Sequence, residues 1–458
     1  MQGLPKFARI LFYAAIAVSV ISYGAVYRLP FMVVVFFACV SLAFAALTPV
    51  AKPETGKIYR YGLVLVLLMA GLLVFQSIPV PRFLADPVWD EAGELLGFTF
   101  AAISVEPATT IGSILPLTLP FVIFLAALAL FQSDRSAFNL WNYLARLGVL
   151  VAAFSVVQFT MYPDWLLGRP KEHYLDSLTG TFVNRNTAAT FFGLASLVVF
   201  GCLLKDLRSL RDRKIHLLSA WRPRQFNNGR LDLRVHLFVW TIGLIITLLA
   251  LFLTQSRGGI TATSIAFAVA TGLVIQFEMT NRRPAWQRLT AISGGVGAVL
   301  FVVIVFGGRA LLRLEEKGLE DDRWCAYRYT IDAILDHPIL GAGFGTFESL
   351  FPAYRVGACA PGGQWSMAHN SYLEAYLGLG LPFLFILGFC TLVLLAIMRT
   401  GFKYRRRYRL IPAIGLAMLL LVGVHSFVDF SLQIPAITVY FAAAMGAMTT
   451  ISLGRRGY

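Results

Sequence analysis

Long apolar runs broken by short polar stretches repeat along the whole chain. Twelve runs qualify as membrane-spanning helices: 8–27, 31–47, 61–78, 113–131, 143–160, 187–204, 236–254, 259–277, 289–306, 371–398, 411–428 and 434–452. A span needs about 20 predominantly apolar residues, because the hydrocarbon core is ~30 Å thick and a helix rises ~1.5 Å per residue. The last run, rich in Ala and Thr, has the weakest pattern. This patterning predicts an all-α fold, a polytopic membrane helical bundle in which residues 1–458 form a single integral membrane domain. Most polar stretches are short, but residues 307–370, between the ninth and tenth spans, form one large loop, and loops this long are usually functional. Over 321–336 its apolar positions recur at the period of an amphipathic helix. Asp321 or Asp322 caps that helix, Trp324, Tyr327, Ile331 and Leu335 form one face, and Pro338 follows its end. Gly341, Gly343 and Gly345 then force turns, at a spacing unlike that of a dinucleotide-binding loop.

Charge orients these spans. Hydrophobic residues make up 58% of the chain and charged residues 14%, with a mean hydropathy of +0.71, too apolar for a soluble protein. With the N-terminus inside, the cytoplasmic segments are 1–9, 48–60, 132–146, 205–235, 278–288, 399–410 and 453–458. They hold 27 Lys/Arg against 6 Asp/Glu, a net of +21. The remainder holds 12 against 18, a net of −6. Lys/Arg excess marks the cytoplasmic side, so both termini are expected in the cytoplasm. The pI of 9.8 does not point to nucleic acid. Basic residues sit in short juxtamembrane stretches such as Lys403 to Arg407, where membrane lipid headgroups are the nearer partner. The longest, 205–235, reads as a solvated determinant of topology. The first span has basic flanking residues, Lys6 and Arg9, but no clear Ala-x-Ala site follows, and it reads as a retained anchor. Cys39, Cys202 and Cys390 fall in spans; Cys325 and Cys359 share the large outer loop, where a disulfide between them is expected.

Ionisable residues near membrane depth point to function, because their desolvation is costly. Arg257, between Ser256 and Gly258, lies at the outer junction of two spans. His369 opens the run His369-Asn370-Ser371-Tyr372-Leu373-Glu374. Arg185 and Arg323 join them on the outer side. Arginine's planar fork makes bidentate bonds to phosphate and stays charged. Gly258 and Gly259 let a bulky lipid-linked diphosphate approach the backbone, and a histidine beside it is suited to accept a proton near neutral pH. That is the chemistry of moving a glycosyl group from a lipid diphosphate to a hydroxyl, with no cofactor required. Taken singly, Arg257 reads equally well as an interfacial residue joining two helices, and His369 as a helix-start histidine bonded to backbone. Glu374 reads as a core carboxylate paired to an arginine, and His425 with Asp429, at i and i+4, as packing support. The six histidines show no ligand spacing, so no metal site is expected.

Four local patterns resemble those of the O-antigen ligase and polymerase superfamily of bacterial envelope enzymes. They are Gly180-Thr181-Phe182-Val183-Asn184-Arg185-Asn186 before a span, and the turn Ser256-Arg257-Gly258-Gly259. Arg323 followed by His337-Pro338-Ile339-Leu340-Gly341-Ala342-Gly343 is the third, and His369 to Glu374 with Gly378-Leu379-Gly380 the fourth. Their order and shared outer placement define a ligase/polymerase-like core over 180–385. Tyr327 stands where the family often has tryptophan, and Thr187 where histidine is common.

The resemblance implies an inverting, metal-independent glycosyltransferase of GT-C-like architecture in the bacterial inner membrane, with its active site on the periplasmic face. Its donor is a glycan on undecaprenyl diphosphate. By position, Arg257 and Arg323 would bind the diphosphate, Arg185 would line the entrance, and His369 would activate the acceptor hydroxyl or orient the leaving phosphate. Asn184, Asn186, Ser256, Gly258, Asn370, Tyr372 and Glu374 would complete the substrate-binding surroundings. The acceptor is lipid A-core oligosaccharide in a ligase and a growing lipid-linked glycan in a polymerase, and these motifs do not separate the two. A flippase or exporter of lipid-linked sugars is the competing class; it should show half-repeats and charges at the bilayer midplane.

Overall fold

The computed structural model describes residues 4–47, 53–97, 99–212, 233–278, 322–355, 363–405 and 408–454. In chain order its α-helices are α1 (Leu4–Ile21), α2 (Arg28–Ala46), α3 (Pro53–Ser77), α4 (Val88–Leu96), α5 (Pro107–Gly112), α6 (Ile114–Leu130), α7 (Asp134–Met161) and α8 (Arg185–Asp212). They continue with α9 (Leu233–Leu253), α10 (Arg257–Glu278), α11 (Asp322–Asp336), α12 (Phe347–Tyr354), α13 (Ser371–Leu379), α14 (Leu381–Tyr404), α15 (Leu410–His425) and α16 (Pro435–Ser452). One two-residue hairpin, Trp165–Leu166 with Arg169–Pro170, is the only sheet among the described residues. The chain is an all-α polytopic membrane protein. Nine candidate spans among the described residues are long and apolar enough to cross a bilayer: α2, α3, α5 with α6, α7, α8, α9, α10, α14 and α16. The expected ninth span, 289–306, lies outside the described residues, as do Cys359 and residues 213–232 of the long basic stretch.

The weakest span in the pattern is one of the most central. The spans of α16 and α8 are 83% buried inside the protein, against 11% for α3 and α14. The small residues that lower the hydropathy of α16 are what let neighbours approach. A Cβ added at Gly446 would meet Ala127 Cβ at 2.5 Å, so α16 and α6 touch nearly backbone to backbone. Where lipid and core are equally apolar, such close packing drives association. A low hydropathy here marks a helix that faces protein rather than lipid.

At the end of the bundle where α1 and α15 begin, arginines tie helix ends together. Arg9 donates to Leu130 O from Nε (3.0 Å) and Nη2 (2.7 Å). Arg409 Nε donates to Phe402 O at 2.7 Å, and buried Arg405 pairs with Asp134. The opposite end carries α4, α5 and α11 to α13.

There the apolar run 371–398 is not one helix. It breaks at Gly380, where φ is 63° and ψ −146°. The loop carrying the three glycines docks on the break: Leu381 N donates to Ile339 O (3.0 Å), and Ala342 N to Leu377 O (2.8 Å). Gln76, fully buried at the end of α3, holds both sides, its Nε2 donating to Leu340 O (2.6 Å) and Gly378 O (2.8 Å). Short α13 therefore precedes the spanning helix α14. A second tie joins the large loop to the segment after α3. His337 Nδ1 lies 3.3 Å from Asp86 Oδ2, and Tyr354 OH donates to Asp336 Oδ2 at 2.8 Å.

The amphipathic helix is present as α11, but its buried face is not the expected one. Ala326, Tyr329, Thr330 and Ala333 face inward, whereas Trp324 and Leu335 are 63% and 69% exposed and Ile331 is exposed too. Two alanines let α11 lie close to α13, and the Tyr327 hydroxyl turns to a backbone carbonyl. Cys325, on this helix, is disulfide-bonded; Cys39, Cys202 and Cys390 are free.

Gly380→Ala should lower the thermal unfolding midpoint in detergent. That backbone region is essentially closed to other residues, at about 1–3 kcal/mol of strain, and a Cβ there would also run into Ile339 O. An unchanged midpoint would contradict this account of the break.

Candidate functional site

Four helices begin at one place. Asn184 Oδ1 accepts from Asn186 N at 2.7 Å and starts α8. Ser256 Oγ accepts from Gly259 N at 3.3 Å and starts α10. Asn370 Oδ1 accepts from Tyr372 N (3.0 Å) and Leu373 N (3.1 Å) and starts α13. The fourth, α11, brings Arg323 to its second position. Each cap uses a short polar side chain to satisfy amides that a helix leaves open.

The link between α15 and α16, residues 425–431, joins these starts. Asp429 is fully buried. Its Oδ1 accepts from Asn186 Nδ2 (3.1 Å), and its Oδ2 accepts from Ser431 N (2.9 Å) and Ser431 Oγ. Asn186 Oδ1 in turn accepts from Ser256 Oγ at 2.8 Å. On the other side, Ser371 Oγ donates to Asp429 O and Ser371 N to Ser426 O, both at 2.9 Å. Arg323 Nη1 reaches Val428 O at 3.4 Å. His425 Nδ1 lies 2.7 Å from Thr190 Oγ1, which is 3.0 Å from Ser431 Oγ. A Cβ added at Gly258 would sit 3.1 Å from His425 Nε2 and 3.0 Å from Val428 Cγ2, so glycine lets the start of α10 rest on this link.

The expected residues divide into two kinds. Asn184, Asn186, Ser256, Asn370 and Tyr372 spend their side chains inside the protein, the last donating to Gly423 O at 2.8 Å. They build the frame. The cations lie around it. Arg257 is the first residue of α10, half-buried, and its guanidinium has no hydrogen bond or ion pair with another described residue. Arg185 opens α8 and lies over the Tyr174 ring at 5.3 Å. Beside it an open cleft of about 660 Å³ is lined by Glu172 to Asp176. That loop is pinned to the Arg257 turn, since Gln255 Nε2 donates to Asp176 O at 2.7 Å. Three arginines and four helix N-termini, each carrying a partial positive charge, make a setting for an anion.

His369 is held at its backbone and at its ring. Its backbone is left-handed, at φ 55°. Tyr327 OH donates to its carbonyl at 3.0 Å. Its ring meets Trp365 (5.4 Å) and Phe430 (4.9 Å), both edge to face. Glu374 is not paired to an arginine as the sequence suggests; its Oε2 accepts from Ala368 N at 2.7 Å, and the Gln433 side chain also bonds it. Burial pushes its carboxyl up to about 7, with the bonds from Ala368 and Gln433 acting in the opposite sense. Sequence reasoning assigned Asp429 and His425 to packing and passed over Thr190, Ser431, Phe430 and Gln433. Only the His425–Asp429 spacing hinted at them.

Residues 242–388 match the family model described as O-antigen ligase. The match covers less than half of the chain and supports the resemblance to the O-antigen ligase superfamily. The matched segment holds Arg257, Arg323, His369 and Glu374, while Arg185, Asn186 and Asp429 lie outside it. The match supports a glycosyl-transferring function of the ligase or polymerase type in general terms. No curated protein matches the chain.

Asp429→Asn would set an amide against three donors. It should cost roughly 2–3 kcal/mol, read as a lower unfolding midpoint in detergent; a wild-type midpoint would remove Asp429 from the frame. Glu374 makes a pH-dependent prediction. A carboxyl whose folded value is raised keeps its proton in the fold while the unfolded chain ionises. Its stability contribution is therefore intact below about 4.5 and lost as pH rises toward 7. Melts of Glu374→Gln and wild type across pH 4.5–8 should diverge in favour of the variant up to pH 7 and then run parallel.

Proposed function

We propose that this protein transfers a glycan from undecaprenyl diphosphate to an acceptor hydroxyl at the periplasmic face of the bacterial inner membrane. The single observation that carries the reading is the convergence of four helix N-termini and three arginines, with Arg257 uncommitted. Such a site suits a diphosphate, because fixed donors stabilise a leaving anion without reorganising.

In the proposed reaction, His369 accepts the proton of the acceptor hydroxyl. The freed oxygen attacks the anomeric carbon from the side opposite the diphosphate, which inverts that centre. The bond from that carbon to the phosphate oxygen breaks as the new glycosidic bond forms. Undecaprenyl diphosphate departs with the bonding electron pair, its charge met by Arg257 and Arg323. Arg185 and the cleft at 172–176 border the path along which the saccharide extends. No metal ion or cofactor enters this sequence.

The acceptor we assign is lipid A-core oligosaccharide, which makes the protein a ligase; a repeat-unit polymerase would share every donor contact described. Transport of lipid-linked sugar is the less favoured class, because the clustered cations lie at helix ends rather than at mid-span.

Arg257→Ala and His369→Ala should each reduce product by roughly 100-fold or more at normal membrane levels, and Arg257→Lys should not restore it, because lysine lacks the bidentate fork. The readout is surface glycan and lipid-linked intermediate in a deletion strain carrying each variant. Ligation predicts loss of long-chain lipopolysaccharide with lipid-linked polymer retained. Loss of the polymer itself would refute ligation in favour of polymerisation, and full activity of either alanine variant would refute its assigned role.

A further inference from the structure

We infer that Glu374 is a positioning residue whose ionised carboxylate, together with Gln433, holds His369 in its left-handed conformation and so sets part of the pH dependence of transfer. This rests on the transferase reading above.

A histidine at φ 55° is in a region that costs a residue with a Cβ free energy, so something must hold it there. Two bonds bracket it along the backbone. Tyr327 OH donates to the His369 carbonyl at 3.0 Å, and the amide just ahead, Ala368 N, donates to Glu374 Oε2 at 2.7 Å. The Gln433 side chain, in the turn before α16, also bonds the carboxylate. Phe430, three residues before Gln433, sets the edge of the imidazole ring. One short turn therefore supports both the ring and the carboxylate that orders its backbone.

Ionisation decides how well this works. An ionised carboxylate only accepts, and accepts strongly, from both Ala368 N and Gln433. Once protonated, one oxygen becomes a donor and the grip on Ala368 N weakens. Because burial lifts the carboxyl to about 7, this exchange falls in the range where a histidine also titrates. The titratable and charged groups on the packed neighbours are Asp322, Arg323, Tyr327, Arg328, Tyr329, Asp332 and Asp336 of α11, Glu348 and Tyr354 of α12, Asp429 ahead of the 431–433 turn, and His369 itself. Glu348 is taken by Gln364 (Nε2 to Oε1, 2.6 Å) and Asp429 by its own three donors.

The test is the pH profile of kcat for the full-length protein in detergent or liposomes, with a lipid-diphosphate-linked glycan and acceptor. In wild type, activity should fall below pH 7 with a slope steeper than one proton, since His369 and Glu374 both gain protons. Glu374→Gln keeps a carbonyl for Ala368 N but does not titrate. Its profile should fall with a slope of one, so that the variant-to-wild-type ratio rises about tenfold from pH 8 to pH 6. Glu374→Ala should lower kcat at least tenfold at pH 8, where the wild-type carboxyl is ionised, with KM for the donor unchanged. Gln433→Leu removes a bond that lowers the carboxyl's value, so its midpoint should move to higher pH. This variant decides the matter should Glu374→Gln fail to fold. Profiles of Glu374→Gln and Gln433→Leu that superimpose on wild type after scaling would overturn the inference alone. A folded wild type with no transfer at any pH would overturn the reading beneath it.

Discussion

A carboxylate with no access to water has to be satisfied from within, and Asp429 meets that requirement with donors drawn from the start of α8 and from its own turn. Leaving such a group partly unpaired costs more than each bond returns, so its partners are fixed as a set. Asn186 is fixed because it donates to Asp429, and Ser256 because it donates to Asn186. Ser371 is fixed through the same residue's carbonyl. Helices far apart in the chain are brought to one point by this single buried charge.

That point would otherwise be unfavourable. Four helix N-termini carry partial charges of one sign, and three of them carry arginines. A buried anion among them offsets part of the repulsion but is itself closed to solvent, and it leaves the Arg257 guanidinium uncommitted. The frame thus concentrates positive potential without neutralising it. The diphosphate of the proposed donor would complete what Asp429 leaves incomplete, and the donors would not need to rearrange as it leaves. His369 is coupled to the same frame through Phe430, so the cation cluster and the imidazole keep a fixed relation.

Most of the spans were legible because bilayer thickness imposes a length that composition must meet. What lay hidden was whatever apolarity does not encode. Gly380 interrupts a continuous apolar run, and hydropathy is blind to it, since only the docking of Leu340 and Gly341 shows why the chain must turn. The face of α11 was misread because a stripe of large apolar residues outweighs two alanines in any periodicity count, yet close packing favours the alanines. In the site, Arg257 and His369 stood out as charge or titratable chemistry amid apolar runs. Asp429 did not, because an i, i+4 pair at a helix end looks the same whether it supports packing or organises four helices. Glu374 was visible, but its partners were not, as a backbone amide six residues back leaves no mark in composition.

The segment that matches the O-antigen ligase family, 242–388, holds the residues facing the proposed chemistry but little of what fixes them. Ser256 at its beginning bonds to Asn186, and Ser371 near its end bonds to Asp429, both outside it. Phe430 and Gln433, which act on His369 and Glu374, are outside as well. Cut at those limits, the segment would expose an unsatisfied serine hydroxyl at each of two helix starts and lose one side of the imidazole's packing. Its neighbours, α8 and α16, are also the helices most enclosed by protein, so their removal would open the core and not only the site. The matched stretch is therefore the working face of a larger cooperative unit, and the geometry of Arg257 and His369 is a property of the bundle from α8 to α16.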